Sequence, residues 1–272
     1  MSISELKIMK RERLVRYPQK RGAPAERGDW IYGRRPVLEV VKAGKRHLYE
    51  ALLPLPGRDA PEVAELRALL LAQGVPFRAA ERDELDERCE GGHHQGVAVR
   101  TGGYPYISFD QVVHDVKENA DAVVLILDHI EDPQNVGSLL RTADAAGVTA
   151  VVLPEDRAAG VTPAAVRASA GASEHLRVAK VVNLVRAMQE LKELGVWITG
   201  LDMGPQAKSY TALDFKGRVG LVVGSEGRGL SRLVGETCDF IASLPMKGGV
   251  ASLNAGVAGA IALYEIVRQR TR

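Results

Sequence analysis

The stretch "AVVLILDHIEDPQNVGSLLRTADAAG" (residues 122–147) joins a continuously apolar run to an amphipathic pattern. The apolar run is typical of a strand that is buried on both faces, as strands of parallel sheets are. From Val136 onward, apolar residues recur at i, i+3, i+4 and i+7, which predicts a helix with one apolar stripe. Asp132 and Asn135 precede this stripe as candidate N-cap residues, whereas Arg141 lies off it. The stretch therefore predicts one strand–helix unit, with an arginine that packing does not explain.

The rest of the C-terminal half repeats this alternation. Further apolar extended runs lie at 148–154, 196–202 and 219–227, and helical patterns lie at about 163–170 and 183–194. Parallel strands need long crossover connections, which helices commonly supply. We therefore predict an α/β fold whose main sheet is parallel.

Four regions follow from composition along the chain. Residues 29–100 alternate helical and extended patterns over a shorter length, which predicts a small α/β domain. Glycine and proline breakers predict a linker at 101–120, and residues 121–272 then form the second domain. The first region, 1–28, is predicted to be a flexible arm. Its stretch 7–21 carries seven Lys or Arg against one Glu, so it is either a disordered tail or a tether for nucleic-acid phosphates.

The overall composition excludes several classes of protein. Of the 272 residues, 46% are hydrophobic and 26% charged, which is ordinary for a soluble globular protein. The two cysteines form no motif, which suits a reducing compartment, so we expect a cytoplasmic protein. His93 and His94 have no further ligand at metal-site spacing, so no metal is predicted and both are expected at the surface or facing RNA. Polar residues interrupt the apolar run 250–267, which argues against a membrane span.

Three predicted strand ends lead into polar, glycine-marked segments. They are "HIEDPQNVG" (129–137), "GLVVGSEGRGL" (220–230) and "SLPMKGGVASLNAGVAGA" (243–260). Ligands bind at the carboxyl ends of strands in open parallel sheets, so these segments are expected to form one site. The glycine spacing G-x-x-G-x-G differs from the dinucleotide-binding fingerprint, and no phosphate-binding G-x-x-x-x-G-K-[ST] motif is present. A nicotinamide or nucleoside triphosphate site is therefore not expected.

The three segments resemble a known family. "DPQNVGSLLRTADAAG", "VVGSEGRGLS" and "LPMKGGVASLNAGVA" resemble, in order and spacing, the three motifs of the SpoU/TrmH family of RNA ribose 2′-O-methyltransferases, within the SPOUT superfamily. "RASAGASEHL" (167–176) is similar to the segment between them. In the N-terminal half, "IYGRRPVLEVV" and "HHQGVAV" resemble the small RNA-binding domain of the ribosomal-RNA branch, which is related to kink-turn-binding ribosomal proteins.

This resemblance implies a fold, a reaction and partners. It implies an RNA methyltransferase of the EC 2.1.1 class that uses S-adenosylmethionine as methyl donor and a ribose 2′-hydroxyl of RNA as acceptor. It also implies a homodimer and a trefoil knot in the catalytic domain, which general topology rules would not predict. The branch that it most resembles methylates a guanosine of large-subunit (23S) rRNA. The alternatives are a tRNA ribose methyltransferase, whose branch usually lacks the N-terminal domain, and a non-catalytic RNA-binding or ribosome-assembly factor.

The resemblance also implies the residues of the site. The catalytic positions are Asn135, Arg141, Glu226, Ser252 and Asn254. The positions that hold the methyl donor, through backbone groups and apolar contact with the adenine, are Gly224, Leu244, Met246 and Leu253. Gly256 departs from the pattern, because the family commonly has a small hydroxyl residue there, and a possible hydrogen bond is lost.

Each polar site residue also has a purely structural interpretation. Asn135 would cap its helix, Glu226 would favour the positive end of the next helix, and Ser252 and Asn254 would cap the last helix. The family's mechanism casts Arg141 as a base, but a guanidinium is not readily deprotonated in proteins. We therefore interpret Arg141 as a clamp on the target phosphate that stabilises negative charge on the 2′-oxygen, with the phosphate or a water as proton acceptor.

Overall fold

The computed structural model describes residues 28–55, 57, 60–204, 206–249 and 252–271. The predicted arm at 1–28 lies outside the described residues except for Gly28. All nine predicted site residues lie inside them.

The N-terminal part folds around a small mixed sheet in the order β1–β4–β2–β3. Its strands are β1 (Asp29–Tyr32), β2 (Leu48–Leu53), β3 (Phe77–Ala79) and β4 (Ala98–Thr101), and its helices are α1 (Arg34–Ala43), α2 (Pro61–Ala72) and α3 (Arg82–Arg88). The alternation of β2 sends Ala51 and Leu53 into the core formed with α1 and α2, while Leu52 packs with Leu85 of α3. The prediction of a small α/β domain is confirmed.

The C-terminal part folds around a parallel sheet in the order β7–β6–β5–β10–β8–β11–β9. Its strands are β5 (Val123–Asp128), β6 (Ala150–Pro154), β7 (Val178–Val181), β8 (Trp197–Leu201), β9 (Lys208–Ser209), β10 (Val219–Gly224) and β11 (Phe240–Ser243). Its helices are α4 (Phe109–Glu118), α5 (Pro133–Ala145), α6 (Pro163–Ala168), α7 (Leu184–Glu193), α8 (Arg232–Thr237) and α9 (Ala255–Arg270), with short 3-10 turns at Ala172–Glu174 and Tyr210–Ala212. The predicted parallel α/β sheet is confirmed, whereas the trefoil knot stays a prediction.

Helices cover both faces of the central strands β5, β6 and β10, which explains why these strands are apolar and buried. Every residue of β5 is buried. Leu125 and Leu127 pack with residues of α5 and α9, while Val124 and Ile126 pack with residues of α4 and α7. The predicted stripe of α5, which begins at Val136, is buried in the first of these two cores.

The start of α5 corrects one prediction. Asp132 is the N-cap, since its Oδ1 accepts a hydrogen bond from the Gln134 amide at 3.0 Å, and Pro133 occupies the first turn. Asn135 is not a cap: it lies within the helix and is only 5% exposed. Its side chain is therefore available for contacts with other segments.

The segment predicted as a linker contains more structure than its sequence indicated. Its second half is α4, which begins with a capping box between Ser108 and Gln111. Its first half is pinned to the C-terminal part, because the Tyr104 hydroxyl donates to the Ser173 carbonyl oxygen at 2.8 Å and Tyr106 accepts from a backbone amide. The segment predicted as a linker therefore packs against the C-terminal domain.

A buried ion pair joins the two domains. Arg46 donates two hydrogen bonds to the Glu174 carboxylate, at 2.8 Å and 2.7 Å, and both side chains are fully buried. Nearby, Arg167 of α6 donates to the Tyr32 hydroxyl at 2.6 Å. These contacts hold the N-terminal domain against the face that carries α6.

Within the described residues, no helix has the length and apolar character needed to cross a membrane. The apolar C-terminal run belongs to α9, where the buried Glu265 accepts hydrogen bonds from Arg268 and Gln269.

Candidate active site

The three predicted segments meet at the carboxyl edge of the large sheet. The Asn254 Nδ2 atom donates to Asn135 Oδ1 at 2.7 Å, and Asn135 Nδ2 donates to Glu226 Oε2 at 3.2 Å. One chain of hydrogen bonds therefore joins residues that lie about a hundred positions apart in the sequence. We call Asn135, Glu226 and Asn254 the polar network.

Asn135 is the centre of this network, and both ends of its amide are engaged. Its oxygen accepts from Asn254 and its nitrogen donates to Glu226. Because an amide has a distinct donor end and acceptor end, these two bonds fix the orientation of the side chain. Glu226 Oε2 is the acceptor of the second of these bonds.

Asn254 has two functions at once. It is the N-cap of α9, where its Oδ1 accepts from the Val257 amide at 3.2 Å, so the capping interpretation is confirmed for Asn254 but not for Ser252. Its Nδ2 remains free to enter the polar network, because the cap uses only the oxygen. Capping and a role at the site are therefore compatible in this residue.

Glu226 lies on a tight turn after β10. The turn is closed by a hydrogen bond from the Gly229 amide to the Ser225 carbonyl oxygen at 2.9 Å, and Gly227 and Gly229 both have positive φ angles, of 82° and 66°. The next helix begins only at Arg232, so Glu226 is not in its first turn. The interpretation of Glu226 as a helix-terminus charge is therefore not supported.

A cavity of about 240 Å³ opens beside the polar network. It is lined by Leu201, Asp202, Met203, Val223, Gly224, Ser225, Glu226, Gly227, Arg228, Gly229, Ala242, Leu244, Met246, Ser252, Leu253, Ala255 and Ala258. All four residues predicted to hold the methyl donor are in this lining, together with Glu226 and Ser252. The cavity is slightly smaller than the usual range of about 300–1,000 Å³ for ligand sites.

The lining fits S-adenosylmethionine. Aliphatic side chains such as Val223, Leu244 and Leu253 offer apolar contacts for an adenine ring, and the lining also includes the carboxylates of Asp202 and Glu226. A Cβ on Gly224 would lie 2.3 Å from the Gly229 carbonyl oxygen, so the strand end and the turn touch there and only glycine fits. Gly224 therefore allows the turn to pack directly against the end of β10 beside the cavity.

Arg141 and Ser252 lie outside the polar network. Arg141 is exposed on α5, and within the described residues its guanidinium has no hydrogen-bond or ion-pair partner. Ser252 is exposed at the rim of the cavity. Both side chains are accessible from solvent, and Arg141 is not part of the cavity lining.

Packing explains why a glycine occupies position 256. A Cβ at this position would lie 3.0 Å from Ser138 Oγ and 3.1 Å from Asn254 Oδ1. The hydroxyl of Ser138, on the facing helix α5, thus occupies the space beside Gly256. The close approach of α5 and α9 is what brings Asn135 within reach of Asn254.

The sequence analysis did not identify the part of the cavity lining that lies at the end of β8. Leu201, Asp202 and Met203 belong to the lining, yet this strand end was not among the segments singled out. The signal was present, because "VWITGLD" is an apolar run that ends in an aspartate, as "AVVLILD" does. A glycine-rich continuation, which marked the other segments, is missing there.

His94 differs from its prediction. It is 8% exposed, its Nδ1 accepts from the Gly96 amide at 3.0 Å, and its Nε2 lies 3.1 Å from Asp86 Oδ1. This histidine is buried, contrary to the expected surface position, and it closes a loop of the N-terminal domain. His93 is exposed as expected. Within the described part of the chain, no group of three or more His, Cys, Asp or Glu side chains is arranged to hold a metal ion.

Comparison with known proteins supplies the family. Residues 122–264 match the SpoU rRNA methylase family, and residues 30–107 match the family described as RNA 2′-O ribose methyltransferase substrate binding. YacO of Bacillus subtilis (strain 168), a protein of the TrmH family, is 39% identical over 249 residues, which is 90% of this chain and 98% of that protein.

Two further relatives are informative. The 23S rRNA (guanosine-2′-O-)-methyltransferase RlmB of Xylella fastidiosa (strain 9a5c) is 38% identical over 251 residues, which is 90% of this chain and 98% of that enzyme. The crystal structure of the SpoU methyltransferase AviRb from Streptomyces viridochromogenes, in complex with AdoMet, aligns with a TM-score of 0.74 at 26% identity, over 89% of this chain and 90% of that one. The resemblance drawn from the three motifs is thereby confirmed, and the chain belongs to the SpoU/TrmH family of RNA ribose 2′-O-methyltransferases, which use S-adenosylmethionine.

Proposed function

We propose that this enzyme methylates the ribose 2′-hydroxyl of a guanosine in 23S rRNA. The observation that carries the reaction is the polar network, which lies at the edge of a cavity suited to the methyl donor. The substrate is supported by the 38% identity to RlmB over nearly the full length of both chains, and by the substrate-binding family match at 30–107. With such a substrate, we expect the enzyme to act in the cytoplasm.

The residues of the chain supply positioning and charge stabilisation. S-adenosylmethionine, when bound, supplies an electrophilic methyl group on a sulfonium. The neutral ribose hydroxyl is a poor nucleophile, so the reaction depends on how well the enzyme aligns it with the methyl group. Alignment of two reactants lowers a barrier by about 7–11 kcal/mol in favourable cases. The polar network is suited to this task, because its hydrogen bonds hold Asn135 and Glu226 in fixed orientations beside the cavity.

Arg141 is proposed to clamp the target phosphate and to stabilise negative charge as it develops on the 2′-oxygen. Its exposed guanidinium, which has no partner within the described residues, supports this role. A guanidinium stays protonated in proteins and presents five donors to an anion. The proton of the hydroxyl then passes to the phosphate or to a water.

A homodimer is proposed as the working form. Val257, Ile261 and Tyr264 follow one another along one face of α9 and are 47%, 37% and 53% exposed in the single chain. Their spacing of i, i+4 and i+7 forms one apolar stripe, which a second copy would cover. The stripe begins next to Asn254, so the partner would lie close to the site. Sedimentation velocity tests this proposal: Ile261→Glu is expected to give monomers, and an unchanged dimer would refute this interface.

The decisive experiment on the substrate is transfer of a labelled methyl group to transcripts of 23S rRNA and tRNA, followed by mapping of the modified ribose. We expect label on one guanosine of 23S rRNA. Label on tRNA alone would refute the proposed 23S rRNA substrate and would show that the enzyme is a tRNA ribose methyltransferase. Label on neither, together with no thermal stabilisation by S-adenosylmethionine, would favour a non-catalytic RNA-binding factor.

A further inference from the structure

Asp202 is a carboxylate of the cavity wall to which the motifs assign no role. It follows β8, the strand on the far side of β10 from β5. Its backbone is held in place, because its amide donates to the Ala242 carbonyl oxygen at 3.1 Å. Its Oδ1 accepts from the Met203 amide at 2.7 Å, whereas its Oδ2 accepts no hydrogen bond from any described residue. One carboxylate oxygen is thus free at the wall of the cavity.

The turn after β10 passes close to this carboxylate. A Cβ built on Gly229 would lie 3.1 Å from Asp202 Oδ1 and 3.2 Å from Oδ2. Gly229 also has a φ of 66°, so a side chain there would be strained as well as crowded. The glycine therefore lets the turn pass beside Asp202 and keeps its carboxylate at the cavity.

The two carboxylates of the cavity lining have different surroundings. Glu226 accepts from Asn135 and belongs to the polar network, which follows β5 and β10. Asp202 lies one strand further along the sheet, and Ala242 and Leu244 of the adjoining wall are apolar. The reacting end of the donor must be near the network, and the adenine suits the apolar wall. The ribose that joins these two parts is then the portion that Asp202 can reach.

We propose that Asp202 binds the methyl donor by accepting hydrogen bonds from the vicinal hydroxyls of its ribose. This inference rests on the assignment of the cavity as the donor site. A carboxylate binds the ribose 2′-hydroxyl in other open α/β sheets. The free Oδ2 can accept one hydroxyl, and Oδ1 has a second lone pair for its neighbour, because each carboxylate oxygen has two acceptor sites. Contact with the sulfonium would be unfavourable for the reaction, since the sulfonium loses its charge during transfer and a carboxylate there would stabilise the ground state.

Isothermal titration calorimetry of Asp202→Asn with three ligands tests the proposal without relying on activity. The ligands are S-adenosylmethionine, S-adenosylhomocysteine, which lacks the sulfonium charge, and 5′-methylthioadenosine, which also lacks the amino-acid part. All three keep the ribose. We expect the dissociation constant to rise about tenfold or more, by the same factor for each ligand, because a hydrogen bond to a charged group is lost in each complex.

Asp214→Asn is a matched control. Asp214 is exposed, its Oδ1 accepts from the Lys216 amide at 3.1 Å, and it is not part of the cavity lining. The same exchange of a turn carboxylate for an amide is expected to leave all three dissociation constants unchanged. Methyl-transfer kinetics give a second readout: Asp202→Asn should raise the KM for the donor and leave kcat nearly unchanged, as loss of uniform binding does.

Other outcomes would overturn the proposal. Weaker binding of the two ligands with an amino-acid part, and unchanged binding of 5′-methylthioadenosine, would place the ammonium group at Asp202. Weaker binding of S-adenosylmethionine alone would place the sulfonium there, and unchanged binding of all three would exclude a contact.

Two further measurements keep the test decisive if the variant does not fold or if no ligand binds. If Asp202→Asn does not fold, the proposal is tested by measuring the affinity of the wild-type protein for 2′-deoxy and 3′-deoxy forms of S-adenosylhomocysteine. Equal affinity for these forms and for S-adenosylhomocysteine itself would refute the proposal. If the wild-type protein binds none of the ligands, the donor site itself is wrong, which is a different failure from an unchanged Asp202→Asn variant.

Discussion

Replacement of Asn254 by aspartate separates the two functions of this residue. In the native protein its Oδ1 caps α9 through the Val257 amide, and its Nδ2 donates to Asn135 at 2.7 Å. Aspartate is as good an N-cap as asparagine, so Asn254→Asp keeps the cap. It removes the donor, however, and sets a carboxylate oxygen against the Asn135 oxygen. The orientation of Asn135, and with it the contact to Glu226, is no longer fixed.

The magnitudes follow from these two bonds. Loss of an N-cap costs about 1 kcal/mol and loss of an ordinary hydrogen bond also costs about 1 kcal/mol. We expect Asn254→Ala, which loses both, to lower the free energy of unfolding by about 2 kcal/mol. Asn254→Asp should lose about 1 kcal/mol at most, since it keeps the cap and gains a favourable charge at the helix N-terminus. If the misaligned network raises the barrier by about 1.4 kcal/mol, methyl transfer slows about tenfold.

The assay combines urea unfolding with single-turnover methyl transfer at saturating donor and RNA. Asn183 provides the control, because it caps α7 by accepting from the Arg186 amide at 3.0 Å and is not part of the polar network or the cavity lining. Asn183→Ala should show the same capping loss of about 1 kcal/mol with an unchanged transfer rate. Wild-type transfer by Asn254→Asp would refute the reasoning and leave Asn254 as a cap only.

Three further predictions concern the charge clamp, the cavity and the half-buried thiol of Cys238. Arg141→Ala is expected to slow single-turnover transfer by about a hundredfold or more, and the rate of Arg141→Lys should lie between those of the wild type and the alanine variant. The affinity of both variants for the donor, measured by calorimetry, should be unchanged. Near wild-type transfer by the alanine variant would exclude a catalytic role. Gly224→Ala should weaken donor binding in calorimetry, because the new Cβ would lie 2.3 Å from the Gly229 carbonyl oxygen, and unchanged affinity would show that the turn moves freely. Burial raises the pKa of the Cys238 thiol from 9.0 to about 12, so its alkylation at pH 8, followed by mass spectrometry, should be far slower in folded than in urea-unfolded protein. The same shift contributes stability that is present below pH 9 and lost as the pH rises toward 12, and equal alkylation rates in both states would contradict it.

The large strands were predictable because their signal is local. β5, β6 and β10 are covered by helices on both faces, so each is an almost continuous apolar run in the sequence. The helix α4 was not predicted, since its sequence follows a glycine and proline segment and its start depends on the capping box at Ser108. The short strand β7 was missed as well, because four residues with a half-buried lysine carry little pattern.

The start of α5 marks the limit of local reasoning. Asp132 and Asn135 are equally good N-caps by type, and only the folded backbone gives the cap to Asp132. That assignment leaves Asn135 inside the helix, buried and free to bond to Glu226 and Asn254.

The sequence by itself determined the fold class, the three segments that meet at the carboxyl edge of the large sheet and, through three motifs in register, the family. Those properties depend on residues close together in the chain, where periodicity and composition are visible. Only the tertiary structure decided which side chains touch: it linked Asn135 to Glu226 and Asn254, turned His94 inward, and brought Asp202 to the cavity. Such contacts depend on how parallel strands are ordered in the sheet, and strand order is set by packing between distant segments that no local pattern records.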